Sequence, residues 1–257
     1  MIRSSILLSR ALAAAFLLGS LPAVAAADPP VATIASAAPT SRMDIPAGTG
    51  TVRVTLSAAD VIHLAFLVNN RAPAASTVLD PALKSGPAVS DHPATTRALD
   101  TPQLHARYDG ASHTLTVSGA DHQFLLRTSD LSALAAGRIV FAHGADDPMY
   151  GVSGYDAFEK NVGAGMLRKG KLEAKAGEQG WAGAPLAWST AGYAVLADLD
   201  GGQFTLANAS IKIAAPTKQP MDIYVIVGSP KAIFGAVADL SGRTPLFPKW
   251  AMGFTNS

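Results

Sequence analysis

Polar and apolar positions alternate through much of the chain after residue 50, and this alternation predicts β-strands. Residues 51–56 read Thr-Val-Arg-Val-Thr-Leu, the two-residue period of a half-buried strand. The same period recurs on both sides of Asp109 and Gly110, a strong turn pair, and predicts a hairpin over residues 103–118. Similar strand patterns occupy residues 60–68, 121–127, 137–143, 185–189, 192–198, 203–206, 210–213 and 221–227. Many short strands separated by Gly and Pro turns predict a mainly β fold, a sandwich of packed sheets.

One segment has the period of a helix instead. Ser229 is suited to the N-cap, Pro230 to the first helical position and Gly242 to the position just past the end. The apolar residues between them recur at helical spacing and form one face, which consists of Ile233, Phe234, Val237 and Leu240. The sequence therefore predicts one C-terminal helix, with residues 129–136 as either a helical turn or a loop.

Two segments carry no clear period. Residues 28–50 are rich in Ala, Pro, Ser and Thr, and are expected to form either a mobile leader or a first edge strand. Residues 144–184 are long, Gly-rich and weakly periodic. Because a loop of this length in a compact domain is usually functional or disordered, we expect this segment to lack stable structure of its own.

The N-terminus has the features of a secretory signal peptide. Arg3 and Arg10 give it positive charge, residues 11–18 are apolar, and residues 24–27 supply small side chains for cleavage. The apolar run is interrupted too early for a membrane span, although a short anchor is the alternative. We expect an exported, periplasmic or extracellular protein with a signal peptide at 1–27, a leader or linker at 28–50 and a β-sandwich at 51–243.

Composition excludes several functional classes. The chain is 49% hydrophobic, has a formal net charge of +1 and contains no cysteine. It can therefore bury a core, has no global field that would attract nucleic acid, and cannot use a thiolate nucleophile or a Cys-type zinc or iron–sulfur site. No cofactor or metal is expected, no membrane span remains after signal cleavage, and the oligomeric state is left undecided.

Candidate catalytic residues have simpler explanations. His105 and His113 flank the Asp109–Gly110 turn and could hold a metal across the hairpin, but two solvated strand histidines explain them better because no third ligand is in sight. Glycines 151 and 154 around Ser153 have the wrong spacing for a nucleophile elbow. The carboxylates that a glycosidase would need are all explained as turn residues, namely Asp146, Asp147, Asp156, Asp198 and Asp200.

The C-terminal part resembles a known family. After the strand pattern at 222–228 and the helix, residues 240–254 contain a Pro-rich crossing followed by Trp250, Ala251 and Gly253, with Ser257 beyond them. This order is similar to the junction between the N-terminal sandwich and the first barrel strand of family 31 glycoside hydrolases. Residues 149–155 and 180–196 resemble two further passages of that family, with the α-xylosidase and α-glucosidase branch as the nearest in character.

The resemblance implies a galactose-mutarotase-like β-sandwich, with residues 244–257 as the start of a truncated (β/α)8 barrel. The family's catalytic aspartate pair lies beyond the first barrel strand, so no catalytic residue is carried over and the chain alone is expected to be inactive. The family's sandwich sends a loop toward the sugar pocket, and by position this loop contains Gln179 and Trp181. Together with Phe254 of the first barrel strand, they are the residues expected to contact an α-glucoside or α-xyloside. Trp188 is expected in the core.

Three functions remain open at this stage. The chain is expected to be the non-catalytic scaffold or carbohydrate-contacting domain of an exported α-glycosidase, present as a truncated product or gene fragment. A stand-alone periplasmic carbohydrate-binding module is the alternative. A mutarotase-like enzyme is the third, and it would need a histidine and a carboxylate converging on one concave face.

Overall fold

The computed structural model describes residues 42–69, 76, 79–80, 97–152, 171–176, 184–199, 201–207, 209–216 and 220–243. These residues form two antiparallel sheets that pack face to face, as the alternating pattern predicts. The strands are β1 Arg42–Ala47, β2 Gly50–Ala58, β3 Val61–Val68, β4 Ala98–Asp100, β5 Leu104–Asp109, β6 Thr114–Gly119, β7 Phe124–Thr128, β8 Arg138–Ala142, β9 Met149–Gly151, β10 Lys171–Ala176, β11 Leu186–Ser189, β12 Tyr193–Asp198, β13 Gly202–Ala207, β14 Ser210–Ala214 and β15 Asp222–Val227.

The order of the strands defines a smaller and a larger sheet. The smaller sheet has seven strands in the order β1-β2-β3-β15-β12-β11-β9. The larger sheet has eight strands in the order β10-β13-β14-β8-β7-β6-β5-β4. The fold is therefore a β-sandwich, and the expected mainly β class is confirmed. The predicted start of a barrel at 244–257 lies outside the described residues.

The core lies between the inner faces of the two sheets. Phe141 and Phe204 of the larger sheet and Ile223 and Val225 of the smaller sheet have no exposed surface, and all four belong to one continuous apolar cluster. Phe141 and Phe204 alternate along their strands with more exposed residues because successive strand side chains point to opposite faces. Strand β15 is buried on both faces. Each fully buried side chain of this size contributes about 1.5–3 kcal/mol of apolar transfer free energy.

A second apolar cluster covers the outer face of the smaller sheet. Helix α1, Pro230–Ser241, lies there, and its fully buried Ile233 packs with Ala194 and Ile226 of the sheet beneath. The helix begins as predicted, since the Ser229 hydroxyl accepts a hydrogen bond from the Ala232 amide. None of the described helices is long and apolar enough to span a membrane.

Most predicted strands are present within a residue or two of their predicted bounds. The hairpin at 103–118 is confirmed as β5 and β6. The first strand lies inside the segment interpreted as a leader or an edge strand, because Arg42–Ala47 pairs with β2 at the edge of the smaller sheet. The alternative at 129–136 resolves to a short 3-10 helix, Leu131–Ala136, capped by Asp130.

The prediction that residues 144–184 lack structure of their own is wrong in two places. Met149–Gly151 pairs with β11 at the edge of the smaller sheet, and Lys171–Ala176 pairs with β13 at the edge of the larger one. Both strands are short additions to an edge, so tertiary pairing decides them, and in Lys171–Ala176 the residues that alternate with the charged ones are mostly alanine, which gives little hydrophobic signal. Strand β4, which pairs with β5, was not predicted from the sequence.

Candidate functional site

The residues predicted to contact sugar are Gln179, Trp181 and Phe254, and all three lie outside the described residues. Two of the carboxylates weighed from the sequence, Asp156 and Asp200, also lie outside them. The sugar contacts of these residues stay predictions. Among the described residues, many of the aromatic and titratable side chains that contact one another lie on the outer face of the smaller sheet and in three histidine–carboxylate pairs.

Three aromatic side chains meet on the outer face of the smaller sheet. Tyr150 of β9 and Trp188 of β11 face each other across the strands, and their rings stack at a centroid distance of 4.4 Å. Phe234 of the helix meets Trp188 edge-on at 5.2 Å. Phe234 is 47% exposed, while the other two are half-buried. We call these residues the aromatic cluster.

Local backbone geometry aligns this cluster. Gly151 has φ of +89°, and a Cβ at this position would collide with the carbonyl oxygen of Leu186. The next residue, Val152, donates its amide to that same carbonyl at 2.9 Å. The glycine therefore lets β9 lie close to β11, which brings the Tyr150 ring over Trp188.

Two expectations about these residues are corrected. Trp188 was expected in the sandwich core, but it lies half-buried on the outer face and packs against the helix-covered cluster. The predicted apolar face of the helix, which includes Phe234, is only partly covered, since Ile233 is fully buried and Phe234 is 47% exposed. Ile233 packs over β12 and β15 in the middle of the sheet, while Phe234 meets Trp188 of β11, nearer the sheet edge.

Polar residues occupy the other end of the same face. The His63 ring stacks on Tyr224 at 4.3 Å with an interplanar angle of 2°, and its Nε2 lies 3.5 Å from Oδ2 of Asp222. Burial, together with the Asp222 and Asp198 carboxylates, raises the pKa of Tyr224 above its ordinary value. Asp222 is directly opposite Asp198 in the neighbouring strand.

An ion-pair network continues this polar end to the sheet edge. Asp44 accepts hydrogen bonds from Nε of Arg53 at 2.8 Å and from its Nη2 at 3.1 Å, and Arg42 Nε lies 3.4 Å from the same carboxylate. The Arg53 guanidinium donates to both carboxylate oxygens of Asp44, and this bidentate contact fixes the orientation of the pair. These contacts join β1 to β2 and pair the charged side chains of the outer face with one another.

A second histidine–carboxylate pair lies in the connection between β8 and β9. The Tyr193 hydroxyl donates to Oδ2 of Asp147 at 2.9 Å, and the Gly144 amide donates to the same oxygen at 3.0 Å. His143 lies 3.8 Å from this oxygen and its Nδ1 contacts the Gly144 carbonyl at 2.8 Å. Because Tyr193 is fully buried, its hydrogen bond to Asp147 ties this turn to the core.

The third pair corrects the interpretation of the hairpin histidines. His105 faces Ser118 across the hairpin, whereas His113 lies in the loop, where its Nδ1 contacts the Tyr108 hydroxyl at 2.9 Å. The two histidines therefore do not face each other. His105 contacts Asp100 instead, with 2.7 Å between Nδ1 and Oδ1.

Metal binding and acid–base catalysis each require a particular arrangement of titratable side chains. The described residues contain no group of three or more His, Cys, Asp or Glu side chains that could hold a metal ion. The three histidine–carboxylate pairs lie on separate parts of the sandwich, and in each pair the two groups contact each other. Acid–base catalysis on a sugar would require the two groups to flank a ligand. In none of these three described pairs do the two groups flank an open site in this way.

Comparison with sequences finds no matching family model. The chain is 34% identical over 154 residues to a protein of Sporosarcina globispora described as a 1,6-alpha-glucosyltransferase. That alignment covers 55% of this chain and 12% of the relative.

Solved structures share the fold over most of the chain. A family 31 dextranase of Flavobacterium johnsoniae, complexed with isomaltotriose, superposes with a TM-score of 0.62 at 17% identity, over 84% of this chain and 29% of the enzyme. A xylosidase from Aspergillus niger gives a TM-score of 0.61 at 15% identity, over 83% of this chain and 34% of that one. A family 31 α-xylosidase of Xanthomonas citri gives 0.53 at 11% identity, over 84% and 41%.

These matches confirm the resemblance stated from the sequence. The chain has the β-sandwich fold found in family 31 glycoside hydrolases, and it is similar to them over more than four fifths of its length. It spans between 12% and 41% of the lengths of the proteins it matches.

Proposed function

We propose that this chain is the non-catalytic β-sandwich domain of an exported family 31 α-glycosidase, in which it supports the catalytic barrel and contacts the carbohydrate. The observation that carries the proposal is the agreement of two independent comparisons. The superposition on a family 31 dextranase covers 84% of the chain, and the sequence match is to a 1,6-alpha-glucosyltransferase.

The substrate class in this proposal is an α-linked glucoside. The sequence relative is described as a glucosyltransferase, and the dextranase was complexed with isomaltotriose and with glucose. An α-xyloside is the second possibility, because the matches include α-xylosidases. The reaction would be O-glycosyl hydrolysis by the retaining route, with both catalytic aspartates on the barrel that the resemblance implies.

The aromatic cluster supports a role for the sandwich next to carbohydrate. Aromatic rings give sugar rings a flat apolar surface and lose little conformational entropy on binding. Nearly half of the Phe234 side chain is exposed to solvent, and its ring contacts Trp188 edge-on. The same cluster would also serve a stand-alone carbohydrate-binding module, which is the second candidate function.

The size and activity of the native product test the proposal. An antibody raised against this domain is used to blot the source cells and their exported fraction, and then to capture the native product for assay on isomaltotriose and an aryl α-glucoside. We expect a band far above 26.3 kDa in the exported fraction, and hydrolysis by the captured product. The purified 257-residue chain is the matched control and should release no glucose.

Two results would contradict this assignment. A band at or just below 26.3 kDa would mean that the sandwich is exported alone, which favours the binding module. A long product without activity on α-glucosides or α-xylosides would remove the glycosidase assignment.

A further inference from the structure

A row of outward-facing residues crosses four adjacent strands of the larger sheet. Strand register aligns Asp100 of β4 with His105 of β5, His105 with Ser118 of β6, and Ser118 with Phe124 of β7. With strands about 4.8 Å apart, the row is about 14 Å long, which exceeds the length of one sugar ring. We call it the outer row.

The outer row lies on the solvent side of the sheet. The residues adjacent to it along the strands, among them Leu99, Leu104 and Val117, are buried in the core between the sheets. Since successive strand residues point to opposite faces, the row itself points away from that core.

Phe124 is an apolar exception on a polar face. Its side chain is 45% exposed, one of three large hydrophobic residues in the described chain with this degree of exposure. It follows the turn in which Gly119 donates its amide to the Gln123 carbonyl at 2.9 Å, and the strand pair is irregular between Val117 and Ser118. This bulge allows the ring to point outward beside Ser118, while Leu125 returns to the core.

The hydrogen-bonding groups at the other end of the row are already oriented. Oδ1 of Asp100 accepts hydrogen bonds from Arg107 Nη1 at 2.6 Å and from His105 Nδ1 at 2.7 Å. The hydrogen bonds from Arg107 and His105 lower the pKa of Asp100, so the carboxylate stays ionised near neutral pH. An ionised carboxylate only accepts, so His105 must carry its proton on Nδ1, and in the neutral ring Nε2 is left as an acceptor.

His122 completes the surface. Its ring stacks on that of His105 at a centroid distance of 3.9 Å with an angle of 15°. The turn that holds it has a left-handed backbone at His122, with φ of 64°, and its amide donates to the Gly119 carbonyl at 2.9 Å. An exposed side chain is thereby held in one place in spite of a backbone conformation that is uncommon outside glycine.

We propose that the outer row, together with His122, is a second carbohydrate-binding surface that takes a neutral oligosaccharide of hexopyranose rings, with Phe124 as the stacking platform. The Asp100 carboxylate, the His105 Nε2 acceptor and the Arg107 guanidinium supply acceptors and donors for the ring hydroxyls. The choice of an α-glucan as the ligand rests on the proposed function. The surface is separate from the aromatic cluster, which lies on the other sheet.

The contacts on this surface disfavour other ligands. A metal ion would need converging lone pairs, but the two imidazoles lie nearly parallel, and His105 Nδ1 is held by the carboxylate. The Arg107 guanidinium is paired with Asp100, which makes it less available to an anion. A neutral ligand with many hydroxyls can bind along the row without adding charge, with one ring on Phe124 and its hydroxyl groups toward the ionised pair at the other end.

Affinity electrophoresis tests this surface. The purified chain is run in native gels with and without soluble dextran, and isomaltotriose is added as a competitor. We expect dextran to retard the wild-type chain, and Phe124→Ala to weaken the apparent affinity about tenfold. Phe124→Trp should keep the retardation. Val68→Ala is the matched control because it shortens another exposed apolar side chain that lies on the smaller sheet, outside the outer row, and it should be retarded like the wild type.

Nuclear magnetic resonance of the histidine rings provides the second measurement. Isomaltotriose should shift the ring resonances of His105 and His122, and His122→Ala should weaken dextran binding without changing the thermal unfolding midpoint. A wild-type chain that dextran does not retard would overturn the proposal, as would full retardation of Phe124→Ala. The hydrolysis assay on the native product does not depend on the electrophoresis result. A failure of the proposed function can therefore be distinguished from a failure of the proposed binding surface.

Discussion

At the scale of single residues, the polar groups of this protein are stabilised by local contacts with backbone and neighbouring side chains. His143 is an example, because it is 6% exposed and its Nδ1 contacts the Gly144 carbonyl next to it. Burial lowers the pKa of His143 below its ordinary value of 6.5, against the opposing effects of Gly144 and Asp147. The folded state therefore favours the neutral imidazole.

This shift predicts a loss of stability in mild acid. As the pH falls below 6.5, His143 takes up a proton in the unfolded chain before it does so in the folded one, so the free energy of unfolding declines until the lower folded-state pKa is reached. One such group contributes a slope of at most about 1.4 kcal/mol per pH unit. Urea unfolding at several pH values between 5 and 8 measures this pH dependence of the free energy of unfolding.

His143→Gln should flatten the dependence of stability on pH below 6.5, because its side chain does not titrate. Above pH 7.5 histidine is neutral in both states, and the two proteins should there have parallel profiles. Parallel profiles across the acidic range as well would show that His143 does not cause the loss.

At the scale of elements, two glycines have opposite roles. Gly151 ends β9 with φ of +89° and has the Leu186 carbonyl against it, whereas Gly235 lies in helix α1 with nothing within 4 Å of an added Cβ. A side chain is strained at the first position and free of contacts at the second. Alanine should therefore affect the two positions in opposite directions.

Gly151→Ala should lower the free energy of unfolding by about 2–3 kcal/mol, because it forces β9 away from β11 and places alanine in a left-handed conformation. Gly235→Ala should raise it by about 0.5–1 kcal/mol, because alanine restricts the unfolded chain and is the better helix former. Urea unfolding compares the two variants with the wild type. A stability of Gly151→Ala equal to that of the wild type would contradict the close approach of the strands.

Strands with a clear alternation were predictable, and those decided by pairing were not. The hairpin of β5 and β6 has both the polar–apolar period and the Asp109–Gly110 turn, and the structure has it at the predicted place. Strand β10 reads Lys-Leu-Glu-Ala-Lys-Ala, where alternating charge and small apolar residues give little hydrophobic signal. It becomes a strand because β13 offers it an edge.

At the scale of the whole molecule, one core joins the two sheets. Phe141 of β8 and Ile223 of β15 are both fully buried, and both belong to the same apolar cluster although they lie on different sheets. If one sheet separates from the other, the inner faces of both sheets become exposed to solvent. The sandwich should therefore unfold as one unit.

Phe141→Ala should cost about 3–5 kcal/mol and Ile223→Ala about 2–5 kcal/mol, each through a cavity in this shared core. Both variants should still unfold in a single transition by fluorescence and by far-UV circular dichroism. Val68→Ala is the control, because Val68 is 43% exposed and its replacement should change stability by less than about 0.5 kcal/mol. Two separated transitions in either core variant would contradict a shared core.

Local sequence patterns were enough to predict the mainly β class, most strands, the helix with its caps and the resemblance to family 31 glycoside hydrolases. These follow from local periods, turn residues and ordered motifs, which are readable one segment at a time. Which faces are exposed depends on how the elements pack in three dimensions. The tertiary structure brings Tyr150, Trp188 and Phe234 together from two strands and a helix, and it stacks His105 on His122 instead of placing it opposite His113. Such contacts depend on strand order and register across the sheets, which no local pattern contains.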